Sequence, residues 1–229
     1  MRIDITSAGA FGSALVHLDA GDEFVSESGA MFRASSNVDI DVTTKSRGKG
    51  GVLGGLKRLL SAENFFFSTY RTTDGAPGEV GLAPILQGEV HHIVRDGNRR
   101  LMCAGGSYLG SSADIMVDTQ WQGFRGFLTG EAPFFLSLDG AGDVLVSAFG
   151  RIDCVEMEDQ LVVDTGHLVA FEEGIDYRLE KAGGSWMHSF LGGEGIVMHM
   201  TGKGRVWVQS HNPKEFGTLL GRLLPPRQE

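Results

Sequence analysis

Apolar positions in this 229-residue chain come in short runs broken by Gly, Asp or Asn. ILQGEVHHIV, DVLVSAF, QLVVD, GIVMHM and RVWVQ are β-branched or aromatic and too short for helices, so they predict strands. Phe65, Phe66 and Phe67, with Phe134 and Phe135, lack two-fold alternation, which predicts strands covered on both faces. One segment reads differently. In HNPKEFGTLLGRLLPP, Asn212 can cap a helix, Pro213 suits its first position and Glu215 completes a capping-box spacing. Phe216, Leu219, Leu220, Leu223 and Leu224 then form one apolar stripe before Pro225 and Pro226 end it. This predicts a helix over 212–224 that docks onto the β body or a neighbouring subunit.

The strand pattern is written three times. EFVSESGAMFRASSNVDIDV, RLMCAGGSYLGSSADIMVD and QLVVDTGHLVAFEEGIDYRL each place an apolar pair before Gly29, Gly106 or Gly166, and a short apolar run after it. An acid follows at ten, eight and ten residues: Asp39, Asp114 and Asp176. After a connection of variable length come LLSAENFFF, FLTGEAPFFL and FLGGEGIVMHM, in which Leu60, Leu128 and Leu191 precede Glu63, Glu131 and Glu194 by three positions. A turn and a last strand, around Val80, Val144 and Val206, close each block. The expected fold is all-β: three internally repeated modules over about 12–90, 91–152 and 153–211, of the double-stranded β-helix or β-sandwich type, forming one compact unit with the short C-terminal helix.

Composition narrows the function. The 34 glycines are about twice ordinary usage without a collagen period, as tight turns between many strands require. A net charge of -9 repels nucleic acid and anionic lipid unless a local patch overrides it, so nucleic acid is not expected as a partner. Cys103 and Cys154 are read as ordinary buried thiols. MRIDITSAGAFGSALVHL lacks the basic start and continuous apolar core of a signal peptide, and no apolar run is long enough for a membrane span, which leads to the expectation of a cytoplasmic protein.

KGGVLGGLKRLL, residues 49–60, is glycine-rich and basic, yet Leu56 separates Gly55 from Lys57 and Arg58 follows, which breaks the phosphate-loop pattern. Its place before Leu-x-x-Glu matches WQGFRGFLTGE and GGSWMHSFLGGE, so it reads as a connection or subunit contact. Lys45, Arg47, Lys49, Lys57 and Arg58 still form the most positive local cluster in the chain and are the candidate patch for an anionic ligand or partner. Glu63, Glu131 and Glu194 are candidate acids that could converge on a pseudo-threefold axis around a cation, and are read first as turn acids accepting backbone N–H bonds. Seven histidines include no His-x-His pair; His91 and His92 are adjacent and should face opposite ways, while His188 and His199 have no ligand spacing. No nucleophile elbow occurs. No catalytic residue, metal or cofactor is expected.

SGAMFRASSNVDIDV, GGVLGGLKRLLSAENFFFSTY, FLTGEAPFFLSLDGAGDVLVSAFG and VDTGHLVAFEEGIDYRL followed by GGEGIVMHMTGKGRVWVQS carry a further signal. Over nearly its whole length the chain resembles a family of bacterial and archaeal proteins whose eukaryotic relatives are named for altered inheritance of mitochondria. The resemblance implies β units like that of the tryptophan RNA-binding attenuation protein, several per chain, and homo-oligomers. The attenuation protein's tryptophan pocket and basic RNA-reading residues have no matching positions here, so the fold alone carries no function. For the eukaryotic relatives the resemblance implies a non-catalytic role in inner-membrane organisation.

The expected protein is a non-enzymatic homo-oligomeric scaffold or binding module, a trimer or a multiple of one, at a membrane surface or in a protein complex. The alternative is a small-ligand or RNA-binding regulator that uses clefts between modules or subunits. An enzyme with an unrecognised site is the third reading.

Overall fold

A computed structural model of the chain describes residues 1–8, 11–43, 66–120, 135–181 and 196–225. Its strands form four antiparallel sheets. A four-stranded sheet runs β1 (Arg2–Ala8), β2 (Phe11–Leu18), β7 (Gly78–Leu82), β4 (Met31–Ala34). A six-stranded sheet runs β5 (Val38–Thr43), β6 (Phe67–Thr72), β3 (Glu23–Glu27), β10 (Tyr108–Ser112), β13 (Ala141–Ser147), β8 (Val90–Asp96). A second runs β11 (Met116–Gln120), β12 (Phe135–Asp139), β9 (Leu101–Ala104), β16 (Leu168–Glu172), β19 (Gly204–Gln209), β14 (Ile152–Met157). The last has three strands, β15 (Gln160–Asp164), β18 (Ile196–Gly202) and β17 (Ile175–Lys181).

Burial shows how these sheets stack. Ala14, Val16, Leu18, Val80 and Leu82 of the four-stranded sheet share one core with Phe24, Tyr70, Leu109 and Leu145 of the first six-stranded sheet. The opposite face of that sheet, through Val25, Phe67, Tyr108, Val144 and Val146, packs on Leu101, Cys103, Leu136, Leu138 and Val169 of the second. A third core joins Phe135, Leu168, Phe171 and Val206 to Val163, Ile175, Met198 and Met200 of the three-stranded sheet. The layers therefore run four, six, six, three, with an apolar core in each gap.

This arrangement explains two different strand patterns. β2 has one covered face and alternates, with Ala14, Val16 and Leu18 inward. β10 and β16 lie inside six-stranded sheets with cores on both sides, and every residue in them is buried. Phe67 and Phe135 follow the same rule. Phe66 departs from the expectation: it is exposed, because it precedes β6 and lies outside the sandwiched ladder. Phe65 and Phe134 lie outside the described residues.

Both six-stranded sheets are joined at their middle in the same way. Ser26, Val25 and Phe24 of β3 face Gly110, Ser111 and Ser112 of β10. Cys103, Met102 and Leu101 of β9 face Ala170, Phe171 and Glu172 of β16. β10 and β16 each carry a bulge against the next strand, between Tyr108 and Gly110 and between Leu168 and Ala170, and β4 carries the same irregularity between Met31 and Arg33. Val80, Val144 and Val206 pair just beyond these bulges, with Ala34, Ser111 and Phe171. The acids match less well. Asp39 faces Arg71 and Asp176 faces Thr201, but the middle segment places Met116 opposite Asp139 and leaves Asp114 in the preceding turn. The eight-residue spacing from Gly106 is two short of the ten that reach the ladder.

The expected helix is α1 (Pro213–Leu223). The Asn212 side chain accepts from the Lys214 N–H at 3.0 Å and the Glu215 N–H at 3.4 Å. Among the described residues only its first turn docks: Phe216 lies 5.0 Å from Phe149, while Leu219, Leu220 and Leu223, with Leu224 just after the helix, are exposed. A helix this weakly anchored depends on its cap. Asn212→Ala is expected to cost about 1 kcal/mol of local helix stability. Amide exchange in α1 should speed up roughly five-fold for that loss while the global unfolding midpoint stays unchanged. A large fall in the global midpoint instead would mean that the helix is part of the core.

Candidate functional site

The basic patch Lys45, Arg47, Lys49, Lys57 and Arg58 lies outside the described residues, and so do Glu63, Glu131 and Glu194. His188 does as well. His91 and His92 take different partners on their strand, Glu89 at 3.7 Å and Asp143 at 2.7 Å, and His199 meets Glu180 at 3.3 Å. No group of three or more His, Cys, Asp or Glu among the described residues could hold a metal ion.

The chemistry that the structure does concentrate is ionic and lies between β8, β16 and β19. Glu172 ends β16 and is buried. Its carboxylate accepts from the Arg205 backbone N–H at 3.0 Å, from Nε at 2.8 Å and from Nη2 at 2.6 Å, a fork-like clamp. The Arg205 guanidinium also sits 5.2 Å over the Trp207 ring. Desolvation raises the Glu172 carboxyl, but the hydrogen bonds and charge of Arg205 outweigh it and leave the group below the ordinary glutamate value.

Arg95 of β8 is the unusual member. Only 6% of it is exposed, and its Nε and Nη2 are buried without a hydrogen-bond partner among the described residues. Burial lowers its pKa, opposed first by the charge of Glu172 and then by that of Asp96. No motif contains it, yet the strand period marks it. Counting by two from buried Ile93 puts Arg95 inward and Val94 outward, and Val94 is indeed exposed. Ala14, His91 and Asp153 face the matched positions Leu82, Val146 and Val208, so Arg95 stands where Leu18 and Met157 fill the other two cores.

The thiols diverge from the expectation of two buried cysteines. Cys103 is buried, and desolvation together with the charge of Glu27 pushes its thiol up. Cys154 is exposed, because β14 is the outer strand of its sheet, and partial burial still raises its pKa. Neither is an activated thiolate. Tyr177 has a buried hydroxyl without a partner among the described residues, and burial pushes it to about 12.

Exposed apolar residues include Met31 and Phe32 on β4, Val162 on β15, Phe11, Ile85, Val94 and the leucine stripe at α1. Ile40 and Val42 on the outer strand β5 are exposed too. No helix among the described residues is long and apolar enough to cross a membrane.

Stacked antiparallel sheets with charged groups buried between layers, outer strands that carry exposed apolar residues, and one short C-terminal helix define a mostly β protein. The family model described as mitochondrial biogenesis AIM24 matches residues 3–211, and the chain belongs to that family. It is 28% identical over 233 residues to an uncharacterised protein of Streptococcus pyogenes serotype M6, covering 98% of this chain and 92% of that protein. A crystal structure of a Streptococcus pyogenes protein, 25% identical, superposes with a TM-score of 0.79 over 97% of this chain and 99% of the other.

Proposed function

We propose that this protein is a non-enzymatic, homo-oligomeric β scaffold or binding module, built from three copies of an attenuation-protein-like β unit and working in the cytoplasm at a membrane surface or within a protein complex. The observation that carries the reading is the placement of exposed apolar side chains on strand edges and at the C-terminal helix, where they offer surface for assembly. The repeated central junction of the two six-stranded sheets supports the triplication. The basic cluster Lys45, Arg47, Lys49, Lys57 and Arg58 supplies the contact with anionic lipid or an acidic partner.

Light scattering on the purified chain tests the assembly: a multiple of the chain mass is expected, and a single-chain mass at every concentration overturns it. Retention on vesicles containing anionic lipid tests the basic cluster. Neutralising all five side chains should abolish retention, and unchanged retention removes that contact from the reading. Turnover that depends on one acid or histidine would reverse the non-enzymatic assignment.

Arg95 favours a second reading, a regulator that takes a small anionic ligand between layers, since its two nitrogens without a partner among the described residues suit a carboxylate or phosphate. Ligand binding to the native state raises the unfolding midpoint. A rise with such an anion that Arg95→Met abolishes supports this reading; a flat response across amino acids, nucleotides and RNA removes it.

A further inference from the structure

We propose that copies of this chain join head to tail, the β4 edge of one copy pairing with the β15 edge of the next, in the register that the chain already uses twice internally. The proposal rests on the homo-oligomer reading above and says where its interface lies.

Each internal junction sets the strand before a matched glycine against a strand that follows the next one. β3 precedes Gly29 and pairs with β10, which follows Gly106; β9 precedes Gly106 and pairs with β16, which follows Gly166. Two strands of this kind are left over. β15, before Gly166, is the outer strand of the three-stranded sheet, and β4, after Gly29, is the outer strand of the four-stranded sheet. Among the described residues both leave a row of backbone N–H and C=O groups facing outward, the template on which another strand adds.

The side chains agree with the backbone. At the internal junctions Tyr108 and Leu109 are 0% and 1% exposed, and Leu168 and Val169 are 2% and 0%. The same two positions of β4 hold Met31 and Phe32, which are 36% and 58% exposed. On the opposing side Val25 is 7% exposed at a junction, while its counterpart Val162 is 57% exposed. Apolar residues thus stand in solvent where the completed junctions bury Val25, Tyr108, Leu109, Leu168 and Val169 and partly bury Met102. Val25 faces Ser111 and Met102 faces Phe171, so carrying that register over sets Val162 opposite Ala34, with Val163 opposite Arg33 and Leu161 opposite Ser35.

A second copy is the occupant because its two outer strands bring what the internal junctions use: a bulged strand in β4, a regular one in β15, and apolar residues at the facing positions. The two edges differ, so the contact is heterologous and repeats from copy to copy, closing into a ring or extending as a filament.

Cysteines placed at the facing positions test this. In a Cys154→Ser background, Ala34→Cys and Val162→Cys are made separately, mixed, and oxidised with diamide. Facing residues in an antiparallel pair are within disulfide reach, so 34–162 links between copies should exceed 34–34 and 162–162 links by about tenfold. Phe32→Asp should reduce the scattering mass to that of one chain, with its unfolding midpoint showing that each copy remains folded. If larger species persist with Phe32→Asp and no 34–162 link forms, this interface is wrong although the homo-oligomer reading stands. A single-chain mass for the unmodified protein overturns both. If the double variant links 34 to 162 within one chain, the two edges close on themselves and pairing between copies is overturned.

Discussion

Glu172→Gln should lower the unfolding midpoint by about 6–12 °C, corresponding to about 3 kcal/mol for removing the counter-charge of a buried cluster in a chain of this size. The substitution keeps the shape but leaves one acceptor oxygen where Arg205 uses two, so the loss combines the charge with one hydrogen bond. Arg205 is half-exposed and regains water, whereas Arg95 stays buried without its largest electrostatic counterweight. A second change, Arg95→Met, places there the residue that Met157 supplies in the third core, and should recover most of the loss. The effect also depends on pH. The Glu172 carboxyl is lowered in the folded state, so its contribution is present above the ordinary glutamate value, about 4.3, and is lost as pH falls through its folded value. Melting curves of the two proteins should therefore diverge at neutral pH and converge in acid. Identical midpoints at pH 7 would show that the cluster does not stabilise the layers.

Gly88→Ala should be comparably severe, costing about 3 kcal/mol or more in urea unfolding, at or beyond the upper end of ordinary overpacking. A β-carbon at this position would lie 1.7 Å from the Ala148 carbonyl oxygen and 2.8 Å from the Gly150 nitrogen, both backbone atoms that no rotamer change moves aside. Gly88 also accepts the Gly12 N–H at 2.7 Å and bridges Phe11 on one side and Gly150 on the other. The starts of β2, β8 and β14 meet here, so a shift at one position disturbs three sheets. Gly174→Ala is the control: its φ is +99° but the space around it is open, and the strain of that backbone costs about 1–2 kcal/mol. If Gly88→Ala is no worse than Gly174→Ala, close approach at Gly88 is not what the fold requires.

Much of the architecture was legible before any coordinates, because short-range physics writes it. Period-two runs name the strands and their inward faces, and β2 follows that pattern residue by residue. Gly29, Gly106 and Gly166 align the strands on either side of them without a gap, and the ladders respect that alignment through both central junctions. The cap of α1 forms at Asn212 as its sequence predicts. Where local spacing was the only guide, it misled: Asp114 falls in a turn, and Cys154 is exposed at a sheet edge.

Sequence alone established a mostly β chain and a capped C-terminal helix, since turn chemistry, periodicity and capping act over a few residues. Tertiary structure alone decided that the central sheets join strands from neighbouring segments, that Arg95 is enclosed between layers, and that β4 and β15 are outer strands among the described residues. A strand's pattern states which of its sides is apolar. It does not name the distant strand that will occupy its hydrogen-bonding edge, because that choice depends on how whole sheets pack against one another.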